Sequence, residues 1–390
     1  MKRLVYLSAV RWADFAQRPH KFVEWHHAQY GSKVLWVEPY PTRLPQVADL
    51  RRPGMPSVRQ ETPDWLEVCG IGALPIEPLP GSPLVNGLLW RNALGRVAEF
   101  AAHGGCELAI GKPSRFALEA LRLGCFARTL YDAMDDFPSF YRGFSAASMR
   151  RVEWRVSRRV SLVLASSTNL LRKFADRGVP VALARNACDP EALPAVEHAL
   201  AAREPGLVGY VGTLGPWFDW ELVAALARAH PQRRFVLIGP LHTGPGFALP
   251  PNVEIRPPLS HTDAMREMAT FAVGLIPFRF NALTAGVDPV KYYEYRALGI
   301  PVLSTAFGEM VAHASKDPGV FLASQAAEAA GMLGEIFDAV ADVGWAGEFR
   351  AQNTWNSRFG HALGAAAVAA PATAVNLKEE FLAKGAVQFR

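Results

Sequence analysis

The sequence has few cysteines, and their placement argues against two kinds of site. The 390 residues include only four, Cys69, Cys106, Cys125 and Cys188, scattered along the chain. Their spacing matches neither a zinc-ligand motif nor a disulfide framework. Metal-ligand spacing is also missing from four histidines, which are His26, His27, His242 and His261. We therefore expect no metal site, and a reducing cytoplasm is the simplest location for the protein.

The sequence also lacks a long hydrophobic run. No apolar segment reaches the roughly 20 residues that span a bilayer. The apolar N-terminal segment is interrupted at Arg11 and has no small-residue cleavage site, so we expect a first strand rather than a signal peptide. Hydrophobic residues make up 50% of the chain and charged residues 20%, which is typical of globular proteins. This length suits two domains.

The charge is basic, with a net value of +5 and a pI near 9.1, which favours anionic partners. Five arginines cluster in one predicted helix, at positions 150, 151, 155, 158 and 159. This cluster indicates either a solvated helix face or docking on an anionic membrane or a lipid-linked pyrophosphate. The predicted helix 84–100, rich in leucine, is likewise either core-packed or interfacial. No recognition motif accompanies the charge, so no nucleic acid partner is expected.

The most informative stretch is 281–305, NALTAGVDPVKYYEYRALGIPVLST. Asp288 is placed to cap a helix, Pro289 suits its first turn and Gly299 suits its end, so the pattern predicts a helix over 289–298 between two buried strands. In such a unit the helix N-terminus lies at the carboxyl ends of the strands and attracts an anion. Lys291 and Glu294 share one face of this helix. They suit the phosphates and the ribose hydroxyls of a nucleoside diphosphate, although Lys291 could also be a solvated surface lysine.

This stretch resembles the donor-binding segment of nucleotide-sugar-dependent glycosyltransferases of the GT-B fold. The resemblance is to the group-one type, especially the bacterial branch that builds capsular, teichuronic-acid-type and exopolysaccharides. The matching positions are Asn281, Thr284, Pro289, Lys291, Glu294, Tyr295, Gly299, Pro301, Val302, Ser304 and Thr305. The chain departs from the larger family at Gly286, where relatives carry a first glutamate that contacts the donor sugar.

The resemblance implies an α/β protein of the GT-B fold, with two Rossmann-like parallel-sheet domains that face each other across a cleft. We expect an acceptor-side domain over 1–195 and a nucleotide-sugar donor-binding domain over 196–365. A C-terminal segment, 366–390, should return to the first domain. The expected donor-binding residues are Glu294, Lys291, Thr284, Arg279, Gly212 and Thr213.

A candidate catalytic base lies in the run Tyr131-Asp132-Ala133-Met134-Asp135-Asp136, at the carboxyl end of a predicted strand. The run resembles a Tyr-Asp-x-x-Asp-Asp motif of the same bacterial branch, which implies that Asp135 is the base. Alternatively, Asp135 and Asp136 cap the next helix or bind the nearby arginines. A second resemblance covers Gln17-Arg18-Pro19-His20 and implies that Arg18 and His20 contact acceptor or donor phosphate. The alternative there is that Arg18-Pro19 only begins a helix.

The function implied is transfer of a sugar from a nucleoside-diphosphate donor, with UDP-sugar favoured, to a glycan or lipid-linked acceptor in bacterial surface polysaccharide biosynthesis. We expect no cofactor and no metal requirement, and a cytoplasmic protein that is peripheral at the inner face of the membrane. Two alternatives stay open. One is a nucleotide-sugar 2-epimerase of the same fold, which needs its own acid/base cluster. The other is a non-catalytic nucleotide-sugar-binding subunit, which Gly286 favours.

Overall fold

Two parallel sheets, formed by successive parts of the chain, organise the computed structural model of the protein, which describes residues 2–45, 61–338 and 343–369. The strands of the first sheet are β1 (Arg3–Leu7), β2 (Lys33–Val37), β3 (Leu66–Cys69), β4 (Cys106–Ile110), β5 (Arg128–Ala133), β6 (Leu162–Ala165) and β7 (Val181–Leu183). The strands of the second are β8 (Leu207–Val211), β9 (Arg234–Ile238), β10 (Val253–Arg256), β11 (Val273–Ile276), β12 (Val302–Thr305) and β13 (Val320–Ala323). The α/β class predicted from the sequence is confirmed.

Helices connect these strands and cover the faces of both sheets. The first part of the chain contributes α1 (Arg18–Tyr30), α2 (Ser82–Ala101), α3 (Arg115–Arg122), α4 (Gly143–Ser157) and α5 (Thr168–Ala175). The remaining helices are α6 (Val196–Ala202), α7 (Trp220–Ala229), α8 (His261–Ala269), α9 (Val290–Ala297), α10 (Met310–Ala314), α11 (Ala326–Asp338), α12 (Val343–Gln352) and α13 (Trp355–Ala369). Helical cover explains the apolar strands, because a parallel sheet is buried on both faces.

The strand order places a crevice in each sheet. The first sheet has the order β3-β2-β1-β4-β5-β6-β7 and the second the order β10-β9-β8-β11-β12-β13. All of these neighbouring strands pair in parallel. In both sheets the connections change direction at the first strand, β1 or β8. Ligands bind at such switch points, outside the carboxyl ends of the strands.

The chain returns from the second sheet to the first through α13. Phe359 of this helix packs its ring edge against Phe22 of α1, with centroids 5.0 Å apart. Trp25 Nε1 donates to Asn356 Oδ1 at 3.0 Å, which fixes the same contact. The return therefore begins at Trp355, earlier than the predicted segment 366–390, of which residues 370–390 lie outside the described part of the chain.

Gly209 in β8 packs closely against Phe271, which lies just before β11, and this contact gives a stability prediction. A Cβ on Gly209 would lie 2.2 Å from the Phe271 ring. We expect Gly209→Ala to lower the free energy of unfolding by about 1–3 kcal/mol, because the added methyl overfills the core. Gly331→Ala is the control, since this open position in α11 should gain about 0.5–1 kcal/mol from the better helix former. Urea denaturation measures the free energy of unfolding of both variants. Equal stabilities of Gly209→Ala and the wild type would contradict this close packing.

Candidate active site

A cleft of about 430 Å³ lies where the carboxyl ends of the two sheets face each other. This volume lies within the range of small-molecule binding sites. The polar lining residues of the first sheet and the chain that follows it include Gln17, Arg18, Lys21, Asp135, Asn186 and Asp189. Those of the second include Thr213, His261, Thr284, Asp288, Lys291 and Glu294. A ligand in this cleft therefore contacts both parts of the chain.

The N-terminus of α9 opens onto this cleft without a side-chain cap. Pro289 occupies the N-cap position with an extended backbone, and no side chain accepts a hydrogen bond from the first turn. Asp288, Pro289, Val290 and Lys291 all line the cleft. Because the first N–H groups of a helix lack intrahelical partners, this end of α9 can bind an anion.

The prediction that Asp288 caps α9 is wrong. Its buried carboxylate accepts from the backbone N–H of Asn186 at 2.7 Å and from the Tyr293 hydroxyl at 3.0 Å. Its other oxygen lies 2.8 Å from His313 Nε2. Since Pro289 takes the N-cap position, Asp288 lies one residue too early to reach the first turn. It joins α9 to the segment that follows the first sheet instead.

Lys291 and Glu294 lie on the same face of α9, as predicted. Lys291 Nζ is 2.5 Å from Glu294 Oε2, and both side chains line the cleft. The Glu294 carboxylate is buried one turn deeper than the helix N-terminus. The arrangement places a cation beside the anion-binding end of the helix, with a hydrogen-bond acceptor behind it.

Gly212 and Thr213 follow β8 and also line the cleft. Gly212 has a φ of 153°, and a Cβ there would lie 2.7 Å from the Tyr210 hydroxyl oxygen. Gly239, with a φ of 144°, passes so close that its Cβ would lie 2.1 Å from the Gly212 carbonyl oxygen. Only glycine fits both positions, and the exposed backbone of this turn can approach a ligand closely.

Two predicted donor-binding residues have other roles in the structure. The buried Thr284 hydroxyl donates to the Arg279 carbonyl at 2.6 Å and accepts from the Asn281 N–H at 3.0 Å, so it holds its own loop together. Thr284 still lines the cleft, whereas Arg279 is not among the lining residues. The Arg279 guanidinium lies 3.8 Å from Asp219 and 4.0 Å from Glu221.

The three aspartates of the Tyr131–Asp136 run differ sharply in their partners. Asp132 is fully buried and accepts two hydrogen bonds from Arg18, at 2.8 and 2.9 Å. Asp136 lies 2.5 Å from Lys173 Nζ. Within the described residues the Asp135 carboxylate has neither a hydrogen bond nor an ion pair, and it lines the cleft. Asp135 is thus the one carboxylate of the three that can accept a proton from a ligand.

The surroundings of Asp135 favour its protonated form. Burial raises the pKa of Asp135 to about 7. The Arg18 guanidinium opposes this shift, and the Asp132 and Asp136 carboxylates add to it. A carboxylate whose pKa lies near neutrality is well matched to general base catalysis at physiological pH.

Arg18 and His20 were both expected to contact a phosphate, and the structure separates them. Arg18 lines the cleft, but its guanidinium is fully engaged, because it also donates to the Ala184 carbonyl at 2.7 Å and to Asn186 Oδ1 at 3.1 Å. The prediction for His20 is wrong, since its ring is completely buried. Its Nδ1 accepts from the Gln17 N–H and its Nε2 faces the Trp12 carbonyl, so it stabilises the start of α1.

Sequence reasoning missed several residues of the cleft. Lys21 reaches across from α1 and pairs with Asp189 at 2.8 Å. His261 begins α8 just after β10, and burial lowers its pKa. Trp217 adds an aromatic wall. The position of His261 after a strand was the available signal, because strand ends in parallel sheets face the crevice.

The described segments contain neither a cluster of metal ligands nor a membrane-spanning helix. No group of three or more His, Cys, Asp or Glu side chains there is arranged to hold a metal ion. Metal independence remains a prediction. None of the helices in those segments is both long and apolar enough to cross a bilayer.

Solved structures identify the fold. Sucrose-phosphate synthase from Thermosynechococcus elongatus matches with a TM-score of 0.62 and 16% identity, over 95% of this chain and 97% of that one. Anabaena HepE in complex with UDP-glucose matches with a TM-score of 0.60 and 15% identity, over 94% of this chain and 100% of that one. WaaG, a glycosyltransferase of lipopolysaccharide biosynthesis, matches with a TM-score of 0.61 and 15% identity, over 94% and 99%. The protein has the GT-B fold.

Comparison of sequences gives a match to only part of the chain. No family model matches the chain. A protein of Bacillus subtilis strain 168, named as a teichuronic acid biosynthesis glycosyltransferase, is 24% identical over 177 residues. The match covers 42% of this chain and 44% of that protein, so it spans less than half of the relative. Residues 281–305 predicted a resemblance to GT-B glycosyltransferases. The solved structures confirm this resemblance at the level of the fold.

The buried Arg18–Asp132 pair gives a prediction about stability at the cleft. We expect Arg18→Ala to destabilise the protein by about 3–5 kcal/mol, because it leaves the Asp132 carboxylate buried without a cation. The double variant Arg18→Ala/Asp132→Ala should recover part of the loss. Arg91→Ala, at an exposed position in α2, is the matched control. A stable Arg18→Ala protein in urea denaturation would show that the pair does not support the fold.

Proposed function

We propose that the protein is a metal-independent glycosyltransferase that uses a nucleoside-diphosphate sugar as its donor. One observation carries the proposal: a single cleft combines the uncapped N-terminus of α9 with the Asp135 carboxylate of the opposite domain, which has no partner among the described residues. UDP is the favoured nucleotide, because HepE binds UDP and UDP-glucose in solved structures of the same fold. The GT-B fold alone does not assign an activity, because one fold can host many functions.

The donor occupies the second domain in this proposal. The diphosphate lies at the N-terminus of α9, where the N–H groups and Lys291 balance its charge. Glu294 exchanges its ion pair with Lys291 for hydrogen bonds from the ribose hydroxyls. The turn at Gly212-Thr213 lets the backbone approach the donor, and these contacts replace the metal ion that could otherwise neutralise a diphosphate.

Catalysis then requires a base and stabilisation of the leaving group. The acceptor hydroxyl attacks the anomeric carbon, the bond to the nucleoside diphosphate breaks, and Asp135 takes the hydroxyl proton. The α9 N-terminus and Lys291 stabilise the negative charge that develops on the departing diphosphate. Because Asp135 and the diphosphate belong to opposite walls of the cleft, attack from the face opposite the leaving group is favoured, and the product has inverted configuration.

The acceptor in this proposal is a glycan or a lipid-linked saccharide of bacterial surface polysaccharide biosynthesis, used at the inner face of the membrane. The names of two relatives support this assignment, one in teichuronic acid biosynthesis and one in lipopolysaccharide biosynthesis. Incubation with UDP-sugars tests the proposal against its alternatives. Slow release of UDP supports a transferase, formation of an epimer supports a 2-epimerase, and neither product supports a non-catalytic binding protein.

The donor site predicts a response to UDP without divalent metal. At a hundredfold excess over Kd, UDP should stabilise the protein by about 2.7 kcal/mol in the presence of EDTA. Glu294→Ala should weaken UDP binding by roughly 1.5–3 kcal/mol, which calorimetry measures, because the ribose loses a charged acceptor. Glu335→Ala, at an exposed position of α11, is the matched control. Unchanged affinity in Glu294→Ala, or an absolute need for Mg²⁺ or Mn²⁺, would contradict this donor site.

The base assignment predicts a separation of binding from turnover. Asp135→Asn should keep UDP affinity close to that of the wild type and lose about 10²- to 10⁴-fold in transfer rate. The wild-type rate should fall tenfold for each pH unit below about 7, because the protonated carboxyl of Asp135 cannot accept a proton. The rate should level off above that pH, and the residual rate of Asp135→Asn should lack this dependence. Near-normal turnover of Asp135→Asn would remove it as the base.

A further inference from the structure

The first two turns of α2 carry a cluster of exposed aliphatic side chains. Leu84 is 80% exposed, Leu88 60%, and Val85 and Leu89 45% each. We name these four residues the α2 tip. They are not needed for the core, since α2 packs onto the sheet through other residues, which are Trp90, Ala93, Val97 and Phe100. An exposed apolar cluster of this kind marks an interaction surface.

The α2 tip lies on the same edge of the first sheet as the cleft. Helix α2 connects two parallel strands, β3 and β4, so it begins at the carboxyl ends of the strands. Three exposed phenylalanines come from loops or helix starts at this edge, and they are Phe15, Phe140 and Phe144. Phe15 and Phe140 also line the cleft. The apolar surface therefore belongs to the rim of the acceptor side.

Positive charge accompanies these apolar side chains. Arg91 follows the α2 tip, Arg142 precedes Phe144, and Arg150 and Arg151 lie two turns into α4, all of them exposed. Helices α2, α3 and α4 share one core cluster, so they lie on the same face of the sheet. Acids are few in these helices: Glu99 lies in the last turn of α2, Glu119 of α3 pairs with Arg122, and Glu153 of α4 is buried.

We propose that the α2 tip, with Phe144, docks the protein on an anionic lipid bilayer while the flanking arginines contact the headgroups. Aliphatic side chains with arginines behind them are the composition that binds a membrane interface. This inference rests on the proposed function and deepens it. It identifies the acceptor as a membrane-borne molecule, presented at the rim beside Asp135.

The charge around the α2 tip favours an anionic bilayer over a second copy of the chain as the partner that covers this surface. A two-fold contact through the α2 tip would bring the same arginines of both copies together. The chain as a whole carries a net charge of +5, so such a contact also opposes two positive surfaces. An anionic bilayer complements this charge.

Vesicle sedimentation of the full chain, without any sugar nucleotide, tests the docking surface. Wild type should bind vesicles of phosphatidylcholine with 30% phosphatidylglycerol at least tenfold more tightly than pure phosphatidylcholine. Leu84→Ser/Leu88→Ser should weaken binding to the anionic vesicles at least thirtyfold. The control Leu123→Ser/Val311→Ser replaces two exposed apolar residues outside the patch and should bind like the wild type.

Several outcomes would overturn the proposal. Equal binding of wild type to both vesicle types would do so, as would equal binding of Leu84→Ser/Leu88→Ser and wild type to the anionic vesicles. A third such outcome is a dimeric wild type with a monomeric Leu84→Ser/Leu88→Ser variant, when the two bind vesicles equally. A lower melting temperature of that variant without a binding change would show that the chain itself covers the patch, and it would also overturn docking. The UDP-induced shift in melting temperature, measured in parallel, should be the same in all variants. Loss of vesicle binding with an intact UDP shift separates docking from donor binding.

Discussion

The structure depends on the pairing of buried charges where the two domains meet. An ion removed from water is tolerated only with a partner and hydrogen bonds. Arg18 satisfies Asp132 and also holds Asn186, whose N–H in turn donates to Asp288 of the second domain. Glu309, buried in the second domain, accepts from the N–H and the hydroxyl of Thr168 in the first, at 2.8 and 2.6 Å. These contacts hold the cleft walls in position.

The same pairing explains which groups stay available for chemistry. The acidic side chains that pair with a cation or cap a helix support the fold. Among the three aspartates of the Tyr131–Asp136 run, Asp135 lines the cleft without such a partner in the described residues. Asp288 is held by Asn186, Tyr293 and His313 and does not cap α9, so the N-terminus of this helix is open to a ligand. A free base on one wall and an anion site on the other are the two requirements of glycosyl transfer from a diphosphate donor.

Local sequence predicted much of this arrangement because its signals are local. Apolar runs predicted the two buried strands that flank α9, and three-residue spacing placed Lys291 and Glu294 on one face. The roles of Asp288 and His20 depend on partners distant in sequence or on burial, which no local pattern contains. No strand was predicted at β7 or β13, since strands of three and four residues carry little periodicity. His261 was set aside because it lacks metal-ligand spacing. Its electrostatic interaction with Glu294 and Lys291 joins residues distant in sequence, so no local pattern contains it.

A crystal structure of the protein with bound UDP tests the proposed donor site most directly. We expect the diphosphate to lie against the N–H groups of Val290 and Lys291, with the ribose hydroxyls on Glu294 and no metal ion between phosphate and protein. We also expect an open space between the β-phosphate and Asp135 that is large enough for a sugar. UDP bound away from α9, or a diphosphate held through a metal ion, would contradict this donor site.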